Sequence, residues 1–273
     1  MPNNHRVLLG RYVQANSLLV RLDPRAKLLV VSLVLGSLVA TRTPSGLVPA
    51  GALFALGAAS SRLSFGVIFG GLRGIGWFLL ITFLFQIFLV PGGGEILAKI
   101  GSVALTAEGL TRAIGLSLAL LMTLLFANLL TLTTSPVDVA DALRATLAPL
   151  ARLRVPVEDL ALVALITLRF VPTLLDEAER IRKAQIARGL APGRGLLARV
   201  RASLPLFVPL IEGAFRKSDE LAVALEARGY EPNAVRTSYR QLAFAARDVV
   251  AVALGCAAAG ATLWLAFASR TPA

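Results

Sequence analysis

From Ala113 to Val137 the chain runs without one charged residue, between Arg112 and Asp138. About 20 mostly apolar residues suffice to cross the hydrocarbon core of a bilayer. Two more stretches reach that length: Gly74 to Gly94, between Arg73 and Glu95, and Val249 to Ser269, between Asp248 and Arg270. Leu28 to Thr41 and Leu47 to Ala59 are shorter, and the turn-like Thr43-Pro44-Ser45-Gly46 joins them. They read as a tight hairpin of short or tilted helices. The expected fold is an all-α integral membrane protein with about five transmembrane helices and a cytoplasmic platform of long helices between the fourth and fifth.

Composition agrees. Of the 273 residues, 56% are hydrophobic and 16% charged, against about 25% charged in soluble domains. Such an apolar chain is not disordered. Cys256 is the only cysteine, which excludes a disulfide scaffold. His5 is the only histidine and sits in a polar tail, so neither a zincin motif nor a Ser-His-Asp triad is available. No catalytic residue and no metal ligand set is expected.

Basic residues face the cytoplasm. Arg6, Arg11, Arg21, Arg25 and Lys27 precede the first span, and Arg62 and Arg73 follow the second. The opposite loops hold Arg42, Lys99, Arg112 and Arg270. This distribution places the N-terminus inside. It also explains the net charge of +12 through lipid and topology, so nucleic acid is not an expected partner.

Between the fourth and fifth spans, Pro136 to Arg240 carries sixteen Lys and Arg against twelve Asp and Glu. Charge so nearly balanced suggests a folded helical unit. The expected organisation is a cytoplasmic segment over 1–27, four spans within 28–135, a cytoplasmic helical platform over 136–241, and the last span within 242–273. Inside the platform, Pro172 to Arg188 reads as one helix, with acid-first pairs Asp176–Arg180 and Glu179–Lys183. A second runs from about Pro209 to Arg228. The apolar runs Leu160 to Leu168 and Ala202 to Ile211 are too short to span and suit helices on the membrane surface or against the bundle.

The two platform helices end alike. One closes with Ala184-Gln185-Ile186-Ala187-Arg188-Gly189 and the other with Ala224-Leu225-Glu226-Ala227-Arg228-Gly229. Glycine after a basic residue is an ordinary helix C-terminus. The repetition of Ala-x-x-Ala-Arg-Gly favours a duplicated docking tip instead, each copy offering a guanidinium for bidentate bonding to a carboxylate.

In this setting the chain resembles the transmembrane coupling subunit, or T component, of energy-coupling factor (ECF) importers. The features that match, in order, are Leu22-Asp23-Pro24-Arg25-Ala26-Lys27, Leu132-Thr133-Thr134-Ser135-Pro136, Leu168-Arg169-Phe170-Val171-Pro172 and the two Ala-Arg-Gly tips, over roughly residues 10 to 268. The resemblance implies a bacterial or archaeal inner-membrane subunit whose platform holds coupling helices. Arg188 and Arg228 would then dock into two ATP-binding cassette ATPases, and Ala187, Gly189, Ala227 and Gly229 would let the backbones approach. The membrane part would hold a small substrate-binding S component, which topples to release a vitamin or transition-metal ion inside. No cofactor belongs to this chain under that reading: ATP and magnesium sit on the ATPases. The residues agree, because no Walker loop exists and none of Lys27, Lys99, Lys183 and Lys217 follows a glycine.

Other positions stand beside a plainer explanation. Asp23 and Pro24 suit a helix start, with Arg25 and Lys27 as interface anchors, and a partner contact is an equal reading. Thr133 to Pro136 would end the fourth span and cap the next helix, with Asp138 and Asp141 in its first turn. Gly66, Gly70 and Gly74 make overlapping Gly-x-x-x-Gly steps, for packing within the chain or as a sliding surface for the S component. Arg169, before Pro172, needs an acidic partner from among Glu158, Asp176 and Glu177.

Two other functions remain to weigh. A conventional ABC importer permease lines the substrate path itself, but its single coupling helix per subunit fits poorly with two tips in one chain. An intramembrane enzyme needs polar groups at membrane depth, and the spans offer little beyond Gln86 and Asn128.

Overall fold

The structure, a computed structural model, describes residues 17, 19–41, 43–70, 74–89, 96–100, 103–153, 155–189, 196–231 and 243–268. The chain divides into two compact units, Met1–Ala142 with Arg240–Ala273, and Leu143–Tyr239.

The first unit holds helices α1 (Pro24–Ala40), α2 (Val48–Ser61), α3 (Phe65–Gly70), α4 (Gly76–Leu89), α5 (Ala107–Thr133) and α9 (Ala246–Ala268). A helix thus stands at each of the five expected spans, with α3 an additional short one. Among the described residues, only α5 and α9, at 27 and 23 residues, are helices long and apolar enough to cross a membrane. A helix rises about 1.5 Å per residue, so α1, α2 and α4, of 17, 14 and 14 residues, are the short members. Residues 90–94 of the expected third span lie outside the described residues. The all-α expectation holds apart from one antiparallel hairpin, β1 (Ile96–Ile100) with β2 (Val103–Thr106), which leads into α5.

The turn between α1 and α2 is a tight 3-10 coil, Pro44–Leu47. It folds α2 back so that both helices pack on α5 and α9. Val34 and Leu38 of α1, Ala50 and Phe54 of α2, and Leu125, Phe126 and Leu129 of α5 form the core. The Phe54 and Phe126 rings meet edge to face with centroids 5.6 Å apart, the geometry that their quadrupoles favour. Gly255 sets how near α9 comes to α1: a Cβ there would stand 2.8 Å from a Val30 methyl. On the outside, Trp77, Phe78 and Phe85 of α4 are exposed, a surface suited to hydrocarbon rather than water.

Helix α6 (Pro136–Leu147) crosses the boundary between the units. The second unit continues through a 3-10 turn, Ala148–Leu153, into α7 (Val157–Ala187) and α8 (Leu196–Ala227). Both long helices differ from the sequence expectation. Helix α7 begins at Val157, and Pro172 lies inside it; α8 begins at Leu196 and contains Pro205 and Pro209. A proline removes one backbone donor and disfavours the helix by about 3 kcal/mol. Here the packing of α7 against α8 outweighs that local penalty.

Candidate functional site

Two cross-links show how α7 and α8 run. The Tyr230 hydroxyl, just beyond α8, donates to Asp159 Oδ1 at the start of α7 (3.3 Å). Further along, Lys217 Nζ stands 3.7 Å from Glu177 Oε2. Numbering rises along α7 as it falls along α8, so the helices are antiparallel. Their C-terminal tips therefore lie at opposite ends of the pair, about 40 Å apart at 1.5 Å per residue.

The tips are built alike. The Arg188 N–H donates to the Ala184 and Gln185 carbonyls, and the Gly189 N–H to Ile186. At the other end the Gly229 N–H donates to Glu226 (2.9 Å) and the Tyr230 N–H to Leu225 (3.0 Å). This last pair is a Schellman closure, which satisfies carbonyls that the helix end would otherwise orphan. It requires a left-handed residue, and Gly189 and Gly229 have φ of 93° and 74°. Nothing lies within 4 Å of where a Cβ on either glycine would stand. The glycines are therefore needed for backbone conformation, and they leave the tips uncovered. Ala187, Arg188, Ala227 and Arg228 are all exposed. Among the described residues, neither guanidinium has a hydrogen bond or ion pair.

Ionic contacts behind the first tip fix its last turns. Arg182 binds Glu179 through two nitrogens, at 2.9 and 2.8 Å, and Lys183 adds a 3.5 Å contact. The Arg182 hydrogen bonds and charge hold the Glu179 carboxyl down at about 2. The expected Asp176–Arg180 pair does not form. Arg169 is exposed and has no partner among the described residues. Two of its three candidate acids are engaged elsewhere: Glu158 with Arg144 (2.8 Å) and Glu177 with Lys217.

The other motifs gather in the first unit, where sequence reasoning did not see them meet. Asp23 is the N-cap of α1: its carboxylate accepts from the Arg25 N–H (2.9 Å), with Pro24 in the first turn. Lys27 is no interface anchor. It is buried, and its ammonium donates to the Val20 carbonyl (3.2 Å) and to the carbonyl of Thr133 (3.0 Å), the last residue of α5. Asp138, Asp248 and Asp23 all stand close enough to act on its charge. Ser135 caps α6, accepting from the Asp138 N–H (3.1 Å) and donating to its carboxylate (2.7 Å). Arg25 Nε and Thr134 Oγ1 are buried without a partner among the described residues.

The residue that sequence reasoning missed is Asp248. It is 1% exposed. One carboxylate oxygen accepts from the Ala245 N–H at the start of α9 (2.8 Å), and the other from the Asp23 N–H (2.7 Å). One side chain thus caps two helices. The only sequence signal was an acid directly before the last apolar run.

Among the described residues, Gly66, Gly70 and Gly74 do not form a packing face. Helix α3 ends at Gly70, Gly74 lies in the turn before α4, and a Cβ on any of the three would meet nothing within 4 Å. A Gly-x-x-x-Gly step acts only along a continuous helix with a neighbour against it.

With this geometry established, the family model for CbiQ, described as cobalt transport protein, matches residues 15–239. The chain belongs to the CbiQ family. Several relatives carry the description energy-coupling factor transporter transmembrane protein EcfT. The one from Bacillus subtilis is 41% identical over 244 residues, covering 89% of this chain and 91% of its own length. That from Streptococcus equi is 37% identical, covering 91% and 93%. That from Thermanaerovibrio acidaminovorans is 37% identical, covering 97% and 98%. CbiQ membership and these relatives make the chain an ECF-type T component, and so a membrane-located part of a transporter.

Proposed function

We infer that this T component couples ATP hydrolysis by two cytoplasmic ABC ATPases to movement of a small membrane S component, which brings a vitamin or transition-metal ion into the cell. The observation that carries the reading is the pair of tips: the same exposed Ala-Arg-Gly end, twice, about a helix length apart. One guanidinium at each end suits two separate grooves lined by carboxylate, where a desolvated bidentate pair is strong. The chain itself contributes no catalysis in this reading. ATP and magnesium belong to the ATPases, and the N-terminus faces the cytoplasm beside them.

The test replaces Arg188 and Arg228 together by Ala in the full complex. Membrane insertion should persist while the ATPases no longer co-purify and uptake stops. Unchanged co-purification and uptake would refute the reading.

A further inference from the structure

A cavity of about 360 Å3 lies inside the first unit, between α1, α2, α5 and α9. Ala26, Gly57 and Ala251 line it from three of those helices. Their side chains are too small to fill the space. Leu53 and Phe126 line one end, and Lys27, Ser60 and Thr133 the other, where α1 starts and α2 and α5 finish. From Leu53 to Ser60, and from Phe126 to Thr133, the cavity follows its helices for about 10 Å.

The lining asks for no polar ligand. The Ser60 hydroxyl donates to the Gly57 carbonyl (2.9 Å), and the Thr133 hydroxyl to the Leu129 carbonyl (2.8 Å). The Lys27 ammonium donates to the Val20 and Thr133 carbonyls, and Asp23, Asp138 and Asp248 already answer its charge. A further carboxylate or phosphate there would meet three like charges. Water needs two to four polar partners to settle, whereas an apolar cavity stays dry or takes hydrocarbon.

The mouth shows where hydrocarbon would enter. Leu56 of α2 and Leu254 of α9 line the cavity and are 61% and 47% exposed, so it opens on the outer surface of the unit. Leu254 lies about 12 Å along α9, counted from Ala246. That helix is long and apolar enough to cross a membrane. The opening therefore sits at the depth of lipid chains, beneath the headgroups.

We propose that the cavity is a binding site for one acyl chain of a phospholipid, entered sideways from the bilayer with the headgroup left outside. The bound acyl chain fills the space that Ala26, Gly57 and Ala251 leave, and so adds to the packing of the four helices. The proposal rests on the membrane location of the protein and not on the coupling function inferred above.

The experiment uses the full-length protein in a sterol-based detergent, which offers no alkyl chain to compete. The probes are phosphatidylglycerol and phosphatidylcholine with the same palmitoyl and oleoyl chains. Native mass spectrometry should show one lipid retained, with either headgroup, and the apparent Tm should rise saturably by about 2 to 4 °C. Ala251→Phe puts a ring into the cavity. It should abolish retention and the lipid-dependent rise while leaving the lipid-free Tm no lower. Ala253→Phe, at an exposed position of α9 outside the lining, should change neither. If Ala251→Phe does not fold, the smaller Ala251→Leu decides the matter. No retention by the unsubstituted protein, equal retention by the Ala251 variant, or retention of phosphatidylglycerol alone would overturn the proposal. So would unchanged retention together with loss of a membrane partner from the complex, which would give the cavity to a protein side chain instead.

Discussion

The carboxylate of Asp248 accepts the backbone N–H of Asp23 at 2.7 Å, across 225 positions of sequence. Asp23 in turn caps α1 through the Arg25 N–H. Two aspartates in series thus fix where the first and last helices of the first unit begin.

Asp248→Ala leaves one buried and one partly buried N–H group without acceptors. Hydrogen bonds to a charged group contribute about 1.5 to 3 kcal/mol each. The substitution should destabilise the chain by about 3 kcal/mol, seen as a lower apparent Tm in detergent. Asp248→Asn retains one acceptor and should cost about half as much.

Gly255 lies against Val30 so closely that any side chain forces one helix away. Overpacking of this kind costs about 1 to 3 kcal/mol. Gly255→Ala should lower the apparent Tm, and Val30→Ala added to it should recover most of the loss. Simple additivity of the two losses would show that α1 and α9 do not meet there.

The left-handed conformation costs a non-glycine residue about 1 to 2 kcal/mol. Gly229→Ala should therefore fray the end of α8, and hydrogen exchange at the Tyr230 amide should accelerate about tenfold. Gly229→Asn should be the milder change, since asparagine tolerates that region better.

Glu179 is held near 2, against an ordinary 4.5, by Arg182. A depressed carboxylate stabilises the folded chain above its unfolded value. The contribution is present above pH 4.5 and is lost as pH falls towards 2. Carbon-13 titration should place Glu179 far below Asp and Glu residues at ordinary values, and Arg182→Gln should return it towards 4.5. Salt should weaken the effect, because the pair is exposed.

What was legible in the sequence was local or repeated. Charge-free runs gave α4, α5 and α9, and the repeated Ala-x-x-Ala-Arg-Gly gave both tips. Rules applied locally went astray where neighbours decide: Pro172 and Pro209 read as helix starts, yet α7 and α8 run through them. The Lys27 cluster was invisible for another reason. Its members come from α1, the α5–α6 junction and α9, and only folding brings Thr133 and Asp248 to Lys27. The same holds for the salt bridges of Glu158 and Glu177, whose partners lie on other helices than the arginine they were expected to meet.

Antiparallel packing of α7 and α8 has a consequence for symmetry. Two helices of opposite direction with like C-termini are exchanged by a half-turn about an axis between them. A single polypeptide thus offers a local pseudo-dyad. Within one chain, it can present equivalent contacts to a two-fold partner.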